Sequence, residues 1–89
     1  VVKYFSHTYS KIVESELSKR LKLLREERKL PQAKLAEEVG LSAGFIAMIE
    51  TGKKSVSCDV LIIFAKYFNV STDYLLGLTD GRTRYPATN

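Results

Sequence analysis

Residues 32–51 read QAKLAEEVGLSAGFIAMIET, and the fold follows from how this stretch must turn. Leu35, Ala36 and Val39 recur at helical spacing and form the apolar stripe of a helix predicted over 32–39. Gly40 stops it, because only glycine takes a left-handed turn without steric cost. Ser42 then caps a further helix over about 43–51, with Phe45, Ile46 and Ile49 turned inward, and Gly52 ends that one. Two helices crossing at roughly 90–120° through so tight a turn need a small residue where they meet. Ala36 stands there; a larger side chain would push the helices apart. Apolar residues along both helices require a third surface to close onto.

That surface lies upstream. Leu17, Leu21 and Leu24 fall at i, i+4 and i+7 in a helix predicted from about residue 14 to 28, with Ser15 as its N-cap and Glu16 in its first turn. Pro31 opens the second helix, where its missing N–H costs nothing. Downstream, 53–57 read as a loop. Ser57 caps a fourth helix over 58–68 that closes at Asn69, and Ser71 or Thr72 opens a short fifth helix over 73–76, ended by Gly77. No internal repeat and no strand pair stands out. The expected architecture is all-α: a compact five-helix domain over 16–78 containing a helix-turn-helix. It carries an N-terminal extension over 1–15, mixed and aromatic (Tyr4, Phe5, Tyr9), and a loose polar tail over 79–89.

Composition narrows the function. The 89 residues, 45% hydrophobic and 27% charged, make one small domain at most, with a modest core that dimerisation would help. The single cysteine, Cys58, and single histidine, His7, leave no disulfide framework, no multi-cysteine zinc site and no Ser-His-Asp triad. Paired carboxylates and a phosphate-cradling glycine loop are also missing, so no enzyme, cofactor or small-molecule substrate is expected. The longest apolar run, Val60 to Ala65, is far shorter than the roughly 20 residues of a membrane helix. Nothing at the start resembles a signal peptide, which points to a cytoplasmic chain. The net charge is +4. Seven of the cations (Lys19, Arg20, Lys22, Arg25, Arg28, Lys29, Lys34) fall between positions 19 and 34 against Glu26 and Glu27. Such focusing suits an anionic polymer; a solvated helix face is the plainer alternative.

The stretch from Arg20 to Thr79 resembles the Cro/CI-type (lambda-repressor-like) helix-turn-helix domain of phage repressors and small bacterial regulators. The likeness is carried by Leu21 to Arg25, Gln32 to Ala36, Gly40-Leu41-Ser42, Ile46, Ile49 to Lys53, and Val70 to Gly77. It implies five helices and sequence-specific binding of double-stranded DNA as a homodimer on a pseudo-palindromic operator. Transcriptional control of the repressor type follows, with the third helix in the major groove. By position, it implies that Gln32 anchors a phosphate and that Lys53 and Lys54 lie along the backbone. Ser42, Ala43, Gly44, Phe45, Met48 and Thr51 would form the DNA-facing surface. Arg25 and Glu50 would pair as a structural brace.

The departures from that pattern are informative. Where the family places base-reading polar side chains, this chain has Ala43, Gly44, Ala47 and Met48. None of them makes the bidentate hydrogen bonds that read guanine or adenine. Either sequence is read through thymine methyls, Gln32 and DNA deformability, or strong sequence preference is lost. In the second case the chain would be a protein-interaction module, antitoxin-like or adaptor, on the same scaffold. Lys29 stands where the family often has Gly, and Val56 where it often has Pro. The fourth helix is apolar nearly all round. Leu61, Phe64, Ala65 and Phe68 suit the core, and Cys58 reads as a small core residue. Ile63 and Tyr67 are left for a cover, either a partner chain or the aromatic segment Tyr4-Phe5-Tyr9. Ile63, Tyr67 and Tyr74 are the dimer-interface candidates.

Overall fold

The computed structural model describes residues 7–84, with side chains from residue 11 onward. Its elements are α1 (His7–Glu27), α2 (Gln32–Val39), α3 (Ala43–Glu50), α4 (Cys58–Phe68) and α5 (Thr72–Leu75), with no strand among the described residues. The fold is all-α, with α2 and α4 as the sequence places them, α3 one residue shorter at its end and α5 displaced by one residue.

α1 differs most. It begins at His7, so Ser15 lies inside the helix and caps nothing, and the helix runs unbroken through the expected boundary at 15/16. Helical periodicity before residue 14 is masked by polar and β-branched residues, whereas Leu17, Leu21 and Leu24 are buried and announce the packed part. The C-terminal end of α1 is closed by Leu30 N–H on Arg25 C=O at 3.1 Å and Lys29 N–H on Glu26 C=O at 2.9 Å. That pairing requires a left-handed residue between them, and Lys29 supplies it at φ +53°. The departure from glycine at this place is therefore accommodated by strain, not by a changed path.

Gly40 takes φ +76°, and Leu41 N–H reaches back to Ala36 C=O at 2.9 Å, which turns the chain from α2 into α3. α3 packs against both α2 and α1. Leu35, Ile46 and Ile49 are wholly buried among Leu17, Leu21 and Leu24, and Ala36 is 3% exposed at the crossing. Each following helix starts on a serine: Ser42 Oγ accepts from Phe45 N–H, Ser57 Oγ from Val60 N–H and Ser71 Oγ from Tyr74 N–H. Each bond satisfies an N–H that the first helical turn leaves unpaired.

α4 buries Phe64, Ala65 and Phe68, with Leu61 only partly covered. Cys58 corrects an expectation: it is exposed. It stands in the first turn of α4, where the helix runs past the core, beside a groove lined by Val13, Leu17, Val56 and Leu61. α5 packs on α1 and α4. Gly77, at φ +81°, lies so close to α1 that a Cβ there would sit 2.5 Å from Glu16 Cγ.

Residues 79–84 are not the loose tail that their composition suggests. Ser71 N–H donates to Arg82 C=O at 3.1 Å, and the Arg82 guanidinium grips Glu27 through bonds of 2.8 and 2.7 Å. Arg20 answers from α1, donating to Tyr74 C=O, Thr79 C=O and the Asp80 carboxylate at 3.0, 2.6 and 2.9 Å. Both guanidinium groups lie over the Tyr74 ring, 4.6 and 5.3 Å from its centre. The segment is thus strapped across α5 onto α1.

Candidate nucleic-acid interface

The interface is built on a brace. Arg25 in α1 donates from Nε to Glu50 Oε2 at 2.7 Å and from Nη2 to Glu50 Oε1 at 2.8 Å; its Nη1 donates to Leu30 C=O at 2.8 Å. The side chains are 12% and 3% exposed. This is the bidentate, charge-assisted geometry that binds carboxylate most firmly, and the Glu50 carboxylate holds the Arg25 guanidinium above its ordinary pKa. Gln32, the first residue of α2, joins by donating Nε2–H to Glu50 Oε1 at 3.0 Å. Ser18 adds a hydroxyl bond to Glu50 C=O. One carboxylate therefore ties the start of α2 and the end of α3 to α1. Among the described residues no buried side-chain polar atom lacks a partner.

With its inner face held, α3 turns the other face outward. Ser42, Ala43, Gly44, Met48 and Thr51 are exposed, and Phe45 is half-buried at the core margin. Lys53 and Lys54 follow, both exposed. Among the described residues Lys53 has no ion pair, and Lys54 Nζ sits 5.8 Å from the Phe45 ring centre. Gln32 is half-buried at the adjoining start of α2. All nine positions expected to face DNA therefore lie along α3, its flanks and the neighbouring helix start. Pro31 leaves that start without a side-chain cap, so its first N–H groups keep the positive end of the helix open to an anion.

The cations between 19 and 34 do not make one basic patch. Arg20 and Arg25 are consumed by the strap and the brace. Lys19 pairs with Glu16 at 3.2 Å, and Lys34 stands 3.6 Å from both Glu37 and Glu38. Arg28 lies over the Tyr67 and Phe68 rings and donates to the carbonyls of both residues.

The dimer-interface candidates divide. Tyr74 is buried, 5% exposed, beneath Arg20 and Arg82, because α5 packs its ring inward; it offers no surface to a partner. Tyr67 is half-covered by its own chain: Arg28 lies 5.3 Å from its ring centre and its hydroxyl donates to Glu38 at 2.8 Å. That bond to Glu38 pushes the phenol pKa up. Ile63 is exposed, as expected, and so is Ile62 beside it in sequence. The proposed aromatic cover falls outside what is described: Tyr4 and Phe5 precede the described residues, and Tyr9 is seen only as α1 backbone.

Reading from sequence misses Ser18, Arg20 and Arg82. Ser18 carried a signal, a serine set between Leu17 and Leu21 on the packed side of α1. The two arginines act across 54 to 60 residues of chain and carried none. Among the described residues no cluster of His, Cys, Asp and Glu is suited to hold a metal, and no helix is long and apolar enough to cross a membrane.

A family model described as helix-turn-helix, HTH_3, matches residues 21–75. The chain belongs to the HTH_3 helix-turn-helix family. The HTH_3 domain is 41% identical over 61 residues to YobD, an uncharacterised HTH-type transcriptional regulator of Bacillus subtilis, covering 68% of this chain and 54% of that protein. It is 29% identical over 82 residues to the HTH-type transcriptional regulator PrpR of Mycobacterium tuberculosis, covering 92% of this chain and 15% of PrpR. The chain thus spans about half of one relative and a small part of the other. Among solved structures, an HTH_3 family transcriptional regulator from Vibrio cholerae superposes with a TM-score of 0.69 at 25% identity, over 78% of this chain and 39% of that one. A hypothetical transcription factor, NHTF, from Neisseria shares the fold, with a TM-score of 0.67 at 20% identity over 72% of this chain and 74% of that one. Both curated relatives, YobD and PrpR, are described as HTH-type transcriptional regulators.

Proposed function

We propose that this HTH_3 domain binds double-stranded DNA sequence-specifically, as a cytoplasmic repressor-type regulator that docks as a homodimer on a pseudo-palindromic operator. α3 enters the major groove, and Gln32, Lys53 and Lys54 engage phosphates on either side. The observation that carries this reading is the division of α3. Ile46 and Ile49 are wholly buried, while Ser42, Ala43, Gly44, Met48 and Thr51 stand in solvent, flanked by exposed lysines. Helix starts and unpaired lysines suit phosphate. The test is a mobility-shift titration with duplex DNA at several salt concentrations. Binding that weakens steeply as salt rises, and that leaves a two-fold motif in a random-duplex selection, is the expected result. No binding at low salt overturns the reading.

A second reading is favoured by the exposed pair Ile62 and Ile63 on α4 and by the lack of base-pairing side chains on α3. In it the chain is an antitoxin-like or adaptor module that meets another protein and touches DNA weakly.

A further inference from the structure

The outward face of α3 has its polar groups already engaged. The Thr51 hydroxyl donates to Met48 C=O at 2.8 Å. Gln32 spends one amide hydrogen on Glu50 at 3.0 Å, and Ser42 Oγ accepts from Phe45 N–H at 3.1 Å. The donors still free, the Ser42 hydroxyl hydrogen and the second Gln32 amide hydrogen, stand at the starts of α3 and α2, where phosphates are met. Met48, further along α3, is 48% exposed. Gly44 lies one turn before it on the same side of the helix. A Cβ built at Gly44 would meet nothing within 4 Å, so the backbone one turn before Met48 is bare on its outer side.

An apolar probe placed in the major groove meets one feature that differs between base pairs, the thymine 5-methyl group. Methionine suits that contact: its chain is unbranched and its sulfur polarisable, so it adapts to a methyl at more than one offset. The missing Cβ at Gly44 lets the helix approach the groove floor closely enough for so short a reach. We propose, resting on the duplex-binding reading above, that Met48 is a specificity-determining residue that selects thymine by its 5-methyl group, and that purine N7 is not read. The target is then a duplex with thymine at a fixed step in each half-site.

The experiment uses the 89-residue chain and the duplex enriched from a random pool. Affinity is measured by fluorescence anisotropy for that duplex, for the same duplex with every thymine replaced by deoxyuridine, and for one carrying 7-deazapurines. Removing the methyls should weaken binding about fourfold for each one buried, and 7-deazapurines should change nothing. Met48→Ala, at an exposed position and checked for fold by circular dichroism, should bind the thymine and uracil duplexes alike. Met48→Leu should keep part of the preference. Equal affinity of the native chain for thymine and uracil duplexes, or loss with 7-deazapurines, overturns the inference and leaves duplex binding standing. So does tight, salt-sensitive binding without an enriched motif. No duplex binding at low salt overturns both.

Discussion

Arg25 and Glu50, 25 residues apart, meet in parallel bonds of 2.7 and 2.8 Å, and the same carboxylate receives the Gln32 amide. Removing one partner strands the other in a largely dry place. Glu50→Ala should therefore cost about 3–5 kcal/mol, much of what holds a domain this small. Urea denaturation measures it. The double variant Arg25→Met with Glu50→Leu should recover most of the loss, because an apolar pair of similar bulk has no charge to desolvate. A loss below 1 kcal/mol for Glu50→Ala would mean that water reaches the pair.

Lys29 holds φ +53° at the end of α1. A left-handed residue with a Cβ costs about 1–2 kcal/mol relative to glycine. Lys29→Gly should raise the denaturation midpoint by the equivalent of about 1 kcal/mol, with an unchanged slope against denaturant. An unchanged midpoint would show that Lys29 gains as much from its surroundings as its backbone loses.

Gly44 weakens α3 by about 1 kcal/mol relative to alanine, and nothing crowds the place where a Cβ would go. Gly44→Ala should stabilise the free domain by up to that amount. If close approach to DNA is what glycine serves, the same variant binds its duplex more weakly. Thermal melting and anisotropy on one preparation separate the two effects.

Lys53 and Lys54 are exposed and make no ion pair among the described residues. Each phosphate contact contributes about −0.9 to the slope of log K against log salt. Lys53→Ala with Lys54→Ala should flatten that slope by roughly 1.8 without altering stability. An unchanged slope would favour the protein-interaction reading.

Glu27 lies below its ordinary pKa of 4.5, first because Arg82 donates hydrogen bonds to its carboxylate. Glu16 is lowered in the same sense, mainly by Lys19. A depressed carboxylate contributes stability above its unfolded pKa and loses it as pH falls through the folded value. The strap over 79–84 should therefore loosen in acid below pH 4.5, and by a modest amount, since both carboxylates are solvated. An NMR titration should place the Glu27 midpoint below 4.5 and return it to the ordinary value in Arg82→Ala.

The helices that sequence places well are those whose ends carry their own chemistry. Ser42, Gly40, Ser57, Asn69 and Ser71 act within a few residues, so local reading finds them. Arg25 and Glu50 are legible only through the family pattern, since nothing local links them. Two misreadings share a cause. Residue type alone places Cys58 in the core and Tyr74 on the surface, but their surroundings are set by chain far away. Cys58 lies past the core and Tyr74 under two arginines, while of the seven cations over 19–34 only Arg20, Arg25 and Arg28 are taken up by the strap, the brace and two rings.

The strap also has a mechanical meaning. Arg82 ties the chain back to α1 at Glu27, 55 residues upstream, and Arg20 pins Thr79 and Asp80 beside it. These anchors hold the end of the described chain against the longest helix. α3 is fastened to the same long helix by a different arginine, Arg25, so strap and brace meet on one shared element.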